Sequence, residues 1–219
     1  MRGWSSIFAG VLLVVGTSAV RAEDAPKADA EGFYSLFDGK SLDGWKSNEN
    51  PKMAVVEDGV LKIKKTGRSH LFYEGPVNKH DFQDFEFKAK VKIIGNSNSG
   101  IYFHTEFQDQ DWPAKGFEAQ VCSANYGDPR KTGSLYGVKD VNKAPVPDDE
   151  WFDYHIIVKG KDVTIKINDK TVTEWTQEEG KQPSAQFPKR VLDRGTFALQ
   201  GHDPDSEVHY KDIRVKPLK

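Results

Sequence analysis

From Phe85 to Ile93 every second residue is apolar: Phe85, Phe87, Ala89, Val91 and Ile93 alternate with Glu86, Lys88, Lys90 and Lys92. A period of two marks a strand with one face in a core and the other in water. Phe152, Tyr154, Ile156 and Val158 repeat the pattern, and Val163, Ile165 and Ile167 follow it. Lys159-Gly160-Lys161-Asp162 and Asn168-Asp169-Lys170 fall between such runs and read as hairpin turns. Glu57-Asp58-Gly59 joins Met53–Val56 to Val60–Ile63 in the same way. Helical periodicity is nearly absent. Many short strands separated by regular turn signals predict an all-β sandwich or barrel. In the last strand Val208 and Tyr210 share one parity, and Ile213 and Val215 share the other. If both pairs face the core, a β-bulge must lie near Lys211-Asp212.

Three further segments alternate with a different outward set. Ile101, Phe103 and Thr105 take one face of their strand, leaving Tyr102, His104 and Glu106 on the other. Phe117, Ala119 and Val121 point inward, and Glu118 and Gln120 outward. Phe197 and Leu199 point inward, and Gln200 and His202 outward. A face that only has to dissolve uses Lys and Glu, as residues 85–93 do. Tyr, His, Gln and single Glu side chains make directed hydrogen bonds instead. If the three strands are neighbours, they present one polar patch, a candidate binding or catalytic site. Trp112, Tyr126 and Tyr136 lie in loop-like stretches that can frame such a patch and stack on an apolar ring face. His70, His80, His155 and His209 lack such company and read as structural.

The ends and the composition narrow the setting. Met1-Arg2, the apolar run Ile7–Val15 and the small-residue stretch ending at Val20-Arg21-Ala22 read as a cleaved signal peptide over residues 1–22. The run is short for a bilayer span. Residues 23–31 read as a disordered leader and 32–219 as one domain, with no transmembrane span after cleavage and a periplasmic or secreted location. Losing Arg2 and Arg21 moves the formal charge from −2 to −4. Signs alternate along the chain, which argues against nucleic acid and against an anionic membrane surface. Cys122 is the only cysteine, so the fold is held by its core, with Cys122 expected as a small buried residue. Asp109-Gln110-Asp111 and Asp203-Pro204-Asp205 have acidic spacing but do not match a full calcium loop. No Ser-centred elbow, P-loop, HExxH or dinucleotide fingerprint is present.

At several of these places the chain resembles a known family, the 3-keto-disaccharide hydrolase domain. Phe37-Asp38-Gly39-Lys40-Ser41-Leu42-Asp43-Gly44-Trp45 is similar to its opening signature. Ser99-Gly100-Ile101-Tyr102-Phe103, Gly116-Phe117-Glu118-Ala119-Gln120 and Gly133-Ser134-Leu135-Tyr136-Gly137 continue the likeness. Ala198-Leu199-Gln200-Gly201-His202-Asp203 and Asp212-Ile213-Arg214-Val215-Lys216-Pro217-Leu218 close it. The resemblance implies a concanavalin A-like jelly roll of two antiparallel sheets, with activity on glycosides oxidised at C3. Elimination across C1–C2 needs a base, an acid and a donor for the enolate oxygen. Glu118, His202 and His104 are the catalytic candidates. Tyr102, Glu106, Gln120, Gln200, Trp112, Tyr126 and Tyr136 are the substrate-binding ones. A divalent cation held by His and Glu could replace the donors. Two alternatives stay open: ordinary glycoside hydrolysis with Glu106 and Glu118 as its carboxylates, and carbohydrate binding without chemistry.

Overall fold

The alternating runs fold as strands and stack into two antiparallel sheets. The structure, a computed structural model, describes residues 26–64 and 67–218; the expected signal segment lies outside them. The larger sheet has the order β11-β10-β9-β6-β13-β4-β3, with β1 (Tyr34–Ser35) paired to β13. Its members are β3 (Ala54–Glu57), β4 (Val60–Ile63), β6 (Phe85–Ile94), β9 (Phe152–Lys159), β10 (Asp162–Ile167), β11 (Lys170–Thr176) and β13 (Glu207–Pro217). The smaller has the order β2-β5-β12-β7-β8, built from β2 (Trp45–Ser47), β5 (Ser69–Tyr73), β7 (Asn98–Thr105), β8 (Phe117–Cys122) and β12 (Thr196–Gly201). The result is a β-sandwich jelly roll. Among the described residues no helix is long and apolar enough to cross a membrane.

β6 behaves as its pattern requires. Phe85, Phe87, Ala89, Val91 and Ile93 are buried between the sheets and the intervening residues face out. Each of the larger side chains contributes roughly 1.5–3 kcal/mol by leaving water. The hairpin turns are where the sequence puts them. Asn168 and Asp169 have φ of 47° and 62°, and Asp58 and Gly59 of 53° and 77°, the paired positive angles of tight hairpins. The bulge in β13 is present: the register shifts between Lys211 and Arg214 and Asp212 has φ 52°. Val208, Tyr210, Ile213 and Val215 consequently all reach the core. Cys122 is buried, and burial pushes its thiol up to about 12.

The leader departs from expectation at its described end. Asp29 accepts hydrogen bonds from the amides of Glu31 and Phe33 and pairs with Arg214 of β13 at 3.3 Å, which fixes the chain against the larger sheet. The smaller sheet departs more consequentially. In β5, β7, β8 and β12 every residue is buried on both faces. One face meets the core. The other, carrying the predicted polar set, is roofed by the loops at 106–116, 123–141 and 177–195. The polar face is therefore an interior between sheet and loops.

Candidate active site

β12, β7 and β8 are neighbours in that order, so the three polar segments do form one surface. Tyr102 of β7 stands directly opposite Glu118 of β8. The Tyr102 hydroxyl donates to Glu118 Oε2 at 2.9 Å, and Gln200 Nε2 of β12 donates to Glu118 Oε1 at 2.8 Å. Glu118 lies flat across β7 because Gly100 leaves it room: a Cβ there would fall 2.4 Å from Oε1. Glu118 is 4 % exposed. Burial disfavours its charged form and raises the carboxyl from 4.5 to about 7, against the smaller opposing effects of Tyr102, Arg190 and Gln200. A carboxylic acid poised near neutrality can give a proton and take it back.

Beside it, at the end of β12, His202 is held by Asp203. Asp203 Oδ2 lies 2.8 Å from His202 Nδ1 and also accepts from Tyr126 and Ser206, while its Oδ1 accepts two backbone amides. Burial alone would raise Asp203, but these donors outweigh it and hold the group down at about 2. Asp203 is thus an acceptor only, so Nδ1 of His202 donates to it and Nε2 is the ring nitrogen left for another group. Among the described residues Nε2 has no hydrogen-bond partner. Trp112 tilts against the imidazole at 5.4 Å and Tyr126 meets it edge-on at 5.7 Å.

These groups open on a cavity of about 280 Å³ lined by Tyr102, Glu118, Gln120, Gln200, Trp112, Tyr136 and His202, with Asn98, Phe187 and Arg190 completing its walls. That is near the lower end of ligand pockets, which start at roughly 300 Å³. Arg190 donates to the Tyr136 carbonyl and stacks 3.4 Å over Phe187, so its cation is fixed beside Glu118. Burial lowers Arg190, and the Glu118 charge partly offsets that. The side-chain oxygens of Asn98, Gln120 and Gln200 are buried without a partner. Each is an acceptor waiting for a hydroxyl, at about 1–3 kcal/mol if left unmet. A wider groove of about 660 Å³ crosses the outer face of the larger sheet. Its charges neutralise one another, as Lys90 does Asp153 at 2.8 Å, and it holds no comparably perturbed acid.

Residues 32–216 match the model of the 3-keto-alpha-glucoside-1,2-lyase-like domain. The chain belongs to this family. A curated relative, the 3-keto-disaccharide hydrolase of Bacteroides thetaiotaomicron, is 28 % identical over 87 % of this chain and 80 % of its own length. Family and relative together make the chain a carbohydrate-active hydrolase in type. Among solved structures, a candidate glycosyl hydrolase from Parabacteroides distasonis superposes with a TM-score of 0.73 at 25 % identity, covering 87 % of this chain and 95 % of that one. A carbohydrate-binding module from Bacillus subtilis shares the fold alone, with a TM-score of 0.57 at 14 % identity over 79 % of this chain and 95 % of the module.

For this member of the 3-keto-alpha-glucoside-1,2-lyase-like family, the structure gathers Tyr102, Glu118, Gln120, Gln200, Trp112, Tyr136 and His202 and separates three other candidates. His104 is outside the cavity. It has φ 54°, and two residues of β7, Phe103 and His104, face the single Phe197 of β12. This bulge turns the ring against Phe85 and Phe103. Asp193 N–H donates to its Nδ1 at 3.2 Å, so Nε2 carries the proton and donates to the Gln83 carbonyl at 2.7 Å. Both nitrogens are used, and burial lowers its basicity. Glu106, beyond the bulge, is exposed and lies 3.7 Å from Lys115. Tyr126 stands behind His202, bonds Asp203 and does not line the cavity. Arg190 and Asp203 were missed as site residues. Arg190 sits in a polar, Pro-containing loop with no periodicity to mark it, whereas Asp203, next to His202, was legible as an imidazole partner. Among the described residues no three His, Cys, Asp or Glu side chains are grouped to hold a metal ion. Asp111 is engaged by Arg68 at 2.5 Å, and the Asp203 oxygens are taken.

Proposed function

We propose that this protein cleaves 3-keto-glycosides by elimination and hydration, as an exported enzyme of the periplasm or cell exterior. The reading rests on one arrangement: a carboxyl near neutrality and an imidazole with a free Nε2 open on one cavity whose lining contains no second carboxylate. The C3 ketone acidifies the C2 proton. His202 Nε2 takes that proton, and the negative charge developing on the C3 oxygen faces the Arg190 guanidinium. The enolate collapses to a C1–C2 double bond and expels the C1 oxygen, which takes the proton of Glu118. Water then adds: Glu118 recovers a proton from it, the hydroxyl joins C1, and the imidazolium returns its proton to C2. The sum is hydrolysis. Asp203 stabilises the imidazolium, and Asn98, Gln120 and Gln200 accept from ring hydroxyls.

Direct hydrolysis needs two carboxyl groups flanking one bond. With Glu106 outside the cavity, Glu118 has no partner for that reaction. The test is a product assay on methyl 3-keto-α-glucoside and its unoxidised parent with wild type, Glu118→Gln and His202→Ala. Cleavage of the keto sugar alone, lost in both variants, is expected. Binding of either sugar with no cleavage would make the protein a carbohydrate-binding domain.

A further inference from the structure

His70 is the least satisfied polar side chain near the cavity. It lies on β5 directly opposite Gln200 of β12, is fully buried, and has no hydrogen-bond partner on either ring nitrogen. Gln200 Oε1, the neighbouring acceptor, is also unpartnered. Leaving three polar atoms unmet in one spot is costly and calls for an occupant. The His70 ring is enclosed by aromatics: Tyr102 edge-on at 5.4 Å, Trp112 edge-on at 5.5 Å and Phe72 at 6.2 Å. Tyr102 and Phe72 are buried strand residues. Trp112 is a loop residue, 41 % exposed, and it forms the wall between His70 and the cavity.

We propose that the cavity continues beneath Trp112, and that His70 and Gln200 form a second hydroxyl-binding subsite there, uncovered when the indole swings outward. The inference rests on the sugar reading above and adds where a second part of the substrate binds. Burial and the nearby Arg68 and His202 hold His70 down at about 3, so the ring stays neutral and offers one N–H donor and one nitrogen acceptor. One pyranose hydroxyl matches this edge: it accepts from the imidazole N–H and gives its own proton to Gln200 Oε1. The lid is lightly fastened. Gln108 ties its loop internally, through the Gln110 and Trp112 carbonyls and the Ala114 amide. Its outer ties are the pair Arg68–Asp111, with Asp111 72 % exposed, and a hydrogen bond from Asn48 Nδ2 to the Gln108 carbonyl at 3.2 Å; such surface pairs hold weakly.

The experiment is a titration of ¹⁵N-histidine-labelled protein with methyl α-glucoside, which lacks the ketone and is not consumed. His70 ring signals should move together with those of His202 as the sugar saturates. His70→Leu should keep or raise Tm, because it removes the unmet groups, yet weaken sugar binding about tenfold, as expected for the lost hydrogen bond. If the His202 signals move while those of His70 stay fixed, or if His70→Leu binds as wild type does, the subsite is overturned and the sugar reading survives. If neither histidine responds to this sugar, nor to its 3-keto form in the Glu118→Gln variant, the sugar reading falls and the subsite falls with it.

Discussion

Replacing Glu118 with Gln should make the protein more stable at alkaline pH and leave it little changed in acid. The carboxyl titrates near 4.5 in the unfolded chain and at about 7 in the folded one. Below 4.5 both states are protonated and nothing is lost. Between these values the unfolded state has released its proton and the folded state has not, so stability falls as pH rises, and the loss is complete above about 7. Roughly 2.5 pH units at about 1.4 kcal/mol each gives a loss of about 3–4 kcal/mol. The amide can occupy the same place. Its oxygen accepts from Tyr102, and a turn of the Gln200 amide presents the unpartnered Oε1 to the new N–H donors. Urea unfolding of both proteins between pH 4 and pH 9 reads the difference directly. The two stability curves should run together at pH 4 and diverge by about 3–4 kcal/mol by pH 8, with the variant above. Parallel curves would mean that Glu118 is not held near neutrality, and its role as the proton donor would be lost with it.

Four further outcomes follow from the geometry. Asp203→Asn removes the acceptor that fixes His202, and kcat should fall about 10²-fold or more in steady-state assays with the fold retained by circular dichroism. Gly100→Ala places a Cβ 2.4 Å from Glu118 Oε1; displacing the carboxyl by about 1 Å should lower kcat about 10²-fold, and a crystal structure of the variant should show the carboxyl moved. Arg190→Lys loses the planar stack on Phe187 and should cut kcat/KM for the keto sugar at least tenfold, since lysine cannot reproduce that geometry. Gly116→Ala combines φ 84° with a Cβ only 2.2 Å from the Phe103 carbonyl oxygen, and should lower stability by about 2–3 kcal/mol in thermal or urea unfolding.

Period-two patterns are legible wherever a strand has one wet face, and β6, β9 and β10 follow them closely. The β13 bulge was legible for the same reason, since only an extra residue could turn Val208 and Ile213 to one side. The β7 bulge was not. Alternation from Ile101 to Glu106 looks unbroken, and nothing in it announces that Phe103 and His104 share one partner on β12. The cause lies far away in sequence, where Gly116 and Gly195 press their backbones against residues 103–105. That single step moved His104 and Glu106 out of the site together. Glu118, Gln200 and His202 precede or avoid it, and they were placed correctly by parity alone. Arg190 needed the tertiary fold, because a loop has no period.

The proposed acid stands on β8 and the proposed base just past the end of β12, with β7 between those strands. Their separation is therefore set by two inter-strand spacings, about 10 Å across the sheet, and is closed by side chains that lean inward from either side. Backbone ladders maintain the interval between the strands, so it works as a fixed gauge. Among the described residues the loops around Trp112 and Arg190 add no strand to it. Exchanging the segment around Trp112 for that of a relative should alter which leaving groups are admitted while the strands that carry the proposed proton donor and acceptor keep their spacing. Substrate range in this protein is thus open to grafting in a way that its reaction is not.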